Sequence, residues 1–294
     1  MSAAETTMDA PLFADRRVGD LEVVTLRDGH RTFPVKEGEF IVNASMADIN
    51  AALVEAGMPP DRMTIVFNPV AIRAGGEWLL FDTGNGPQPP GATTGLLMQS
   101  LHAAGIAPEA IGRVVVSHFH ADHINGLLAA DGAAAFPNAQ ILVPEREWTF
   151  WNDAAERERA APGRMQELFA NVARVFAKLR ERVRTFAGGE EVAPGITAVD
   201  TPGHSIGHTS FMIESRGERL FLQSDVSNHP ALFIRHPDWR ARFDQFPDQA
   251  VATRRKIYEM LVGEGLLIQG FHFPFPSRGH AEPAGEGFRI VPVE

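Results

Sequence analysis

The sequence predicts an α/β fold, and three patterns carry that expectation. The chain opens as a β-meander: Leu21, Val23, Val24 and Leu26 alternate, Asp28-Gly29 reads as a turn into Arg31–Val35, and Gly75-Gly76 separates strand-like runs at Thr64–Arg73 and Glu77–Phe81. From Ser117 onward strands alternate with helices, the signature of a mixed layered fold. Between them, residues 145–186 read as one long helical segment. There Met165, Leu168, Phe169, Val172, Val175, Phe176 and Leu179 recur at three- and four-residue spacings and form an apolar stripe.

The remaining elements follow in order. Residues 1–18 read as a loose arm and residues 36–62 as a helical excursion. A helix over roughly Thr94–Ala104 stops at Gly105, and Arg113–Val116 is a short buried strand. Strands recur at Ile196–Val199, Ser210–Glu214 and Arg219–Leu222. A helix near Ala250–Val262, a strand near Leu266–Gln269 and a tail strand Phe288–Val293 close the chain. No repeat or linker interrupts residues 19–294, so one domain is expected after the arm.

Composition narrows the function. At 294 residues with 44% apolar and 22% charged residues, the chain can bury a sizeable core. A formal net charge of −10 argues against a sequence-independent grip on nucleic acid. An anionic substrate stays open, because a metal centre brings its own positive charge. There is no cysteine, which removes disulfides, thiolate ligands and cysteine nucleophiles. The first 20 residues hold no apolar h-region and no run approaches a membrane span, so a cytoplasmic protein without membrane partners is expected.

The chemistry concentrates in Ser117-His118-Phe119-His120-Ala121-Asp122-His123, placed just after a buried strand. A strand end puts residues 118 and 120 on one side, and the turn into the next helix swings 122 and 123 towards a second point. Imidazole nitrogen and carboxylate oxygen suit zinc and also Fe or Mn. One short segment can feed two adjacent metals.

This His-x-His-x-Asp-His pattern resembles the signature of the metallo-β-lactamase superfamily, and the family's other motifs appear in order. They are Asp82-Thr83-Gly84, Thr201-Pro202-Gly203-His204 through His208, Ser224-Asp225, and Gly270-Phe271-His272. The resemblance implies an αββα sandwich of the metallo-β-lactamase fold. It also implies two divalent metal ions, zinc first with Mn, Fe or Co as alternatives. One ion would take His118, His120 and His204, the other Asp122, His123 and His272, with Asp225 between them. Asp122 and Asp225 would be catalytic through a hydroxide shared by the two ions. Asp82 and His208 would lie behind the ligands. His30, His102, His229 and His236 have no motif context, and His280 is left unassigned.

Within the superfamily, the tail His272-Phe273-Pro274-Phe275-Pro276, Gly279-His280 and Gly285-Glu286-Gly287-Phe288-Arg289 is similar to the methyl parathion hydrolase group, with its lactone- and aryl-ester-hydrolysing relatives. That similarity implies a small-molecule lactone or aryl ester as substrate, with organophosphate triesters as a side activity. It implies that residues 145–186 form a lid, and that Trp151, Phe169 and Phe273 wall the pocket. A homodimer is admitted. Two rival functions stand beside this one, a thioesterase of the glyoxalase II kind and a non-catalytic metal-binding protein. Asn125 and Ile206 depart from the family's usual Gly and Pro, and the pocket tyrosine of N-acyl-homoserine lactonases has no counterpart, since Tyr258 falls inside a helix.

Overall fold

The structure is a computed structural model that describes residues 11–293. Strands β1 (Phe13–Val18), β2 (Leu21–Leu26), β5 (Val70–Ala74), β6 (Glu77–Phe81), β7 (Ile111–Val115), β8 (Gln140–Pro144) and β9 (Val183–Phe186) form one seven-stranded sheet in that order. A second seven-stranded sheet runs β10 (Glu191–Ala193), β11 (Ile196–Asp200), β12 (Thr209–Ser215), β13 (Glu218–Ser224), β14 (Leu267–Gly270), β15 (Arg278–Ala284) and β16 (Gly287–Pro292). A separate hairpin pairs β3 (Gly29–Pro34) with β4 (Arg62–Phe67).

Period-two alternation explains the layers. Leu79 and Phe81 of β6 face the second sheet and meet Phe211, Ile213, Leu220 and Leu222 in a shared core. Leu80, Val114, Val116 and Val143 point the other way, against helices at Leu97–Ala103, Glu145–Asn152 and Arg164–Phe176. Phe221 and Ile268 likewise face outward onto the helix Pro247–Gly263. The order helix, sheet, sheet, helix is the expected αββα sandwich of the metallo-β-lactamase fold. No helix among the described residues is long and apolar enough to cross a membrane.

Four expectations need correction. The arm over 1–18 does not extend that far, because Phe13–Val18 pairs antiparallel with β2; residues 1–10 lie outside the described residues. Residues 145–186 are not one helix. Asp153 caps a new one by accepting from Ala155 N and Glu156 N, Pro162-Gly163 precedes the next, and the last four residues pair with β8 as β9. The run Thr64–Arg73 divides at Asn68-Pro69, where proline lacks the N–H a central strand must donate. Its first half joins the hairpin and its second the main sheet.

Asp28-Gly29 is not a hairpin turn. The chain leaves β2 there for the β3 hairpin, and Gly29 has φ 120 against Thr93, whose carbonyl oxygen would lie 2.0 Å from a Cβ. Asp28 turns inward and clamps the loop before the helix at Leu97. Its carboxylate accepts from Asn85 N at 2.8 Å, Asn85 Nδ2 at 2.9 Å and Leu97 N at 3.1 Å. Burial outweighs these donors and pushes the Asp28 carboxyl up to about 6.

A carboxyl raised in the fold is most stabilising where it is already protonated in the unfolded chain, and that contribution is lost as pH rises through about 6. Asp28→Asn should therefore gain roughly 3 kcal/mol relative to wild type between pH 4 and pH 7. Denaturant unfolding of both proteins across that range measures it. A gap independent of pH would show that Asp28 does not titrate there.

Candidate metal centre

The central strands deliver the site. β6, β7 and β8 run parallel, as do β13 and β14. Asp82 follows β6, His118 lies just beyond β7, Asp225 follows β13 and His272 lies just beyond β14. Carboxyl ends of parallel strands are where open α/β sheets present their side chains to ligands. Two of these ends hold non-glycine residues in the left-handed region, Asp82 at φ 59 and Ser224 at φ 49. Such conformations cost about 1–3 kcal/mol and persist only where the surroundings fix them.

Three groups of side chains come within ligating distance of one another: His118, His120 and His204; His118, His123 and Asp225; and Asp122, His123 and His272. His120 Nδ1 lies 3.0 Å from His118 Nε2 and 2.8 Å from His204 Nε2. Asp225 touches both sets. Its Oδ2 is 3.3 Å from His204 Nε2 and 3.2 Å from His272 Nε2, and its Oδ1 is 3.4 Å from His123 Nε2. Asp122 Oδ2 is 3.7 Å from His123 Nε2 and 3.6 Å from His272 Nε2, and its side chain is 26% exposed, against 3% or less for these two imidazoles.

Four of the five imidazoles have the ring nitrogen turned away from the centre occupied. His118 Nδ1 meets Ser117 Oγ at 3.0 Å, His204 Nδ1 meets Asp244 Oδ1 at 2.8 Å, His123 Nδ1 meets Asp82 Oδ2 at 2.9 Å and His272 Nδ1 meets the Val66 carbonyl at 2.7 Å. Each partner holds a proton on Nδ1 and leaves the Nε2 lone pair aimed inward. His120 is turned the other way and presents Nδ1.

These residues fit a metal ion on physical grounds. A single proton on His120 Nδ1 can serve only one of its two nitrogen neighbours, so lone pairs converge without enough hydrogen between them. His123 Nε2 and Asp225 Oδ1 are buried with no hydrogen-bond partner, a costly arrangement unless a cation lies between such donors. Burial, reinforced by neighbouring imidazoles, holds His118 and His120 well below the usual histidine range and keeps them neutral. Burial also opposes charge on His123 and His272. There the Asp225 carboxylate prevails, joined by Asp82 and Asp122 at His123 and by Asp122 at His272, and both rings are raised. The same field favours a metal ion. The set is entirely nitrogen and oxygen, suited to two divalent ions.

Behind this layer, Asp82 accepts from Ser117 N and Ser117 Oγ as well as from His123. His208 accepts from Asp225 N at 3.0 Å through Nε2 and donates to the Thr201 carbonyl through Nδ1. Burial pushes it down to about 3, so it stays a neutral bracket. Tyr258 is buried and donates to Gln223 Oε1 at 2.7 Å, away from the site.

Two functional carboxylates have no sequence motif. Asp244 orients His204 and itself lies 3.7 Å from the buried Arg254 guanidinium. Glu147 accepts from Phe119 N, Trp151 Nε1, Ser205 Oγ and Gly207 N, tying the His118–His120 segment to the His204 loop. In the sequence Glu147 looks like an ordinary first-turn acid.

A cavity of about 400 Å³ opens onto the donors, walled by Phe33, Phe40, Phe67, Leu168 and Phe243. The expected wall residues are placed differently. Phe169 packs on Trp151 in the helix-facing core, and Phe273 lies in the core under the helix Pro247–Gly263. Phe169 is directed inward by its place on the apolar helix stripe. Trp151 is largely buried and borders a neighbouring chamber.

The sequence model of the Metallo-beta-lactamase superfamily matches residues 68–249. An N-acyl homoserine lactonase of Bacillus thuringiensis is 28% identical over 173 residues, 58% of this chain and 60% of that one. One of Bacillus cereus is 31% identical over 168 residues, 57% of this chain and 58% of the relative. The chain thus spans less than two thirds of the length of these relatives. Among solved structures, AidC, a dizinc quorum-quenching lactonase in complex with the product N-hexanoyl-L-homoserine, superposes with a TM-score of 0.89 at 25% identity over 96% of this chain and 97% of that one. The hydrolase AbOPH superposes with a TM-score of 0.87 at 23% identity, covering 97% and 99% of the two chains, a likeness of fold.

The partners behind the imidazoles generate a prediction. Asp82→Asn and Asp244→Asn should each weaken binding of one metal equivalent by about 10–100-fold. Competition against a chromophoric chelator measures both affinities. Wild-type affinity in either variant would show that its carboxylate does not orient a ligand.

Proposed function

The chain belongs to the metallo-beta-lactamase superfamily, and from that premise we propose that it hydrolyses lactones with two divalent metal ions, zinc in the first instance. One observation carries this reading: a cavity walled in part by phenyl rings ends directly on His120, Asp122, Asp225 and His272. An apolar acyl group could lie against those walls with its carbonyl at the donors.

In this reading His118, His120 and His204 would hold one ion and Asp122, His123 and His272 the other, with Asp225 placed between the two donor sets. When bound, the ions polarise the scissile carbonyl and make a water acidic enough to attack at neutral pH. Asp225 is fixed for its part by Asn228 Nδ2 at 2.7 Å and by the His208 contact to its backbone. Asp122, the more open carboxylate, would pass a proton from the attacking water to the leaving alkoxide. The phenyl walls exclude water from the acyl side and suit aryl esters as secondary substrates. Phosphotriesters share an electrophile the same site could attack, but the Pro-rich loop 86–93 offers them no aromatic. The lactonases among the relatives support the assignment, and the tail's resemblance to the methyl parathion hydrolase group agrees with it.

The zinc-loaded protein should turn over N-acyl homoserine lactones and dihydrocoumarin with kcat/KM above that for paraoxon. Faster turnover of the triester than of every lactone and ester would overturn the ranking, and hydrolysis of none of them would overturn the function. Asp225→Asn keeps shape but removes charge between the donor sets. It should lower kcat by roughly 10²-fold or more and reduce metal content by atomic absorption. Full turnover with normal metal content would remove Asp225 from the site.

A further inference from the structure

The cavity at the donors has a neighbour of about 710 Å³, and the two share His120, Arg164, Leu168 and Phe243. Arg164 therefore stands where the chambers meet. Its guanidinium carbon lies 5.7 Å from the centre of the Phe243 ring, and its charge is felt by His120.

That placement is not explained by structure alone. Among the described residues Arg164 has the Phe243 ring beneath it but no hydrogen bond or ion pair. It is the first residue of the helix Arg164–Phe176, where the helix dipole disfavours a cation. The other arginine of the cavity is engaged: Arg31 Nη2 donates to Asn85 Oδ1 at 2.8 Å. Asp122 and Asp244 attract the Arg164 charge without meeting it. An exposed guanidinium set over a ring where the two chambers meet, with its donors unspent, can receive the oxygen acceptors of a bound molecule.

We propose that Arg164 selects substrates that carry a second acceptor oxygen beside the scissile ester, of which the amide carbonyl of an acylated amino-lactone is the simplest. This inference rests on reading the site as a lactone hydrolase. The metal donors address the scissile carbonyl, the phenyl walls address the alkyl chain, and neither discriminates an amide-bearing lactone from a plain alkyl lactone. Arg164 supplies that discrimination. A charged donor left unpaired when the acceptor is missing discriminates more strongly than an apolar wall does against a missing methylene.

The test compares N-decanoyl homoserine lactone with γ-decalactone, which lacks the amide, on wild type, Arg164→Met and Arg164→Lys. Methionine keeps the apolar stem over Phe243, and lysine keeps charge without the planar fork. The ratio of kcat/KM for the amide-bearing lactone over the alkyl lactone should fall by about tenfold or more in Arg164→Met, through KM, with Arg164→Lys between. An unchanged ratio, whether both substrates lose equally or neither does, overturns the proposal. If the zinc-loaded wild type hydrolyses neither lactone, the functional reading fails on its own, and both lactones serve as binding probes by calorimetry. Selective weakening of the amide-bearing lactone in Arg164→Met then supports the role of Arg164. Equal weakening, no change, or no binding to wild type refutes it.

Discussion

The structure depends on an electrostatic tension at the ends of its central strands. Five imidazoles and two carboxylates come together in three overlapping clusters, and all but Asp122 are buried. Burial leaves water little access to most of them, and they supply too few protons to pair with one another. Such a group is stable only around positive charge. The carboxylates Asp82 and Asp244 add further buried negative charge behind the rings, which aims the lone pairs inward and deepens the demand for a cation. Arg254 meets part of it from the far side. It is 1% exposed, bound to the Val226, Pro237 and Trp239 carbonyls, and 3.7 Å from Asp244.

Geometry at the strand ends answers that demand. Two sheets packed face to face bring the carboxyl ends of β6 and β7 opposite those of β13 and β14. Asp82, His118, Asp225 and His272 therefore converge although they lie far apart in sequence. The turn from strand to site must be abrupt, and Asp82 and Ser224 adopt positive φ to make it. Both are held by side-chain bonds: Ser224 Oγ donates to Ser117 Oγ at 2.7 Å, and Ser117 Oγ donates to Asp82 Oδ2 at 2.8 Å. Backbone strain on one sheet is thus tied to backbone strain on the other through one serine.

This division between local and spatial determinants explains what the sequence made legible. His118, His120, Asp122 and His123 stand in one short segment whose spacing already splits them into two groups. His204, Asp225 and His272 could be found only because resembling motifs follow one another in order. Glu147 and Asp244 act entirely through space and carry no pattern. The layers were legible from alternation, since Leu79 and Phe81 face one core while Leu80 faces another. The segment 145–186 misled because its apolar stripe, Met165 to Leu179, lies wholly beyond Asp153 and Pro162-Gly163, whose capping and breaking effects are local and divide the chain before it. The stripe misled on the pocket as well. A residue such as Phe169 that completes a helical face is directed at the core, whereas the cavity walls Phe33, Phe40 and Phe243 come from a hairpin and irregular chain where no periodicity marks them.

Glu147 links these two levels. It projects from the helix Glu145–Asn152, within the segment expected to roof the site, yet its carboxylate holds Phe119 N between His118 and His120 and holds Ser205 and Gly207 beside His204. Burial raises its pKa, and its four donors act against that rise. The same carboxylate receives Trp151 Nε1 at 2.7 Å, and Trp151 borders the second chamber. The wall of that chamber and the spacing of three imidazoles are therefore set by one side chain. Substitutions in this helix cannot reshape the chamber independently of the donors, because any shift of Trp151 pulls on the carboxylate that positions them. The hairpin that carries Phe33 is tethered too, because the Val66 carbonyl of β4 receives His272 Nδ1 at 2.7 Å. Phe33 packs against Phe40 at 5.9 Å, in a cluster with the helix Met46–Glu55 that is separate from the sandwich core. Both sides of the cavity are therefore bonded to groups that hold the donors, Glu147 on one side and Val66 on the other.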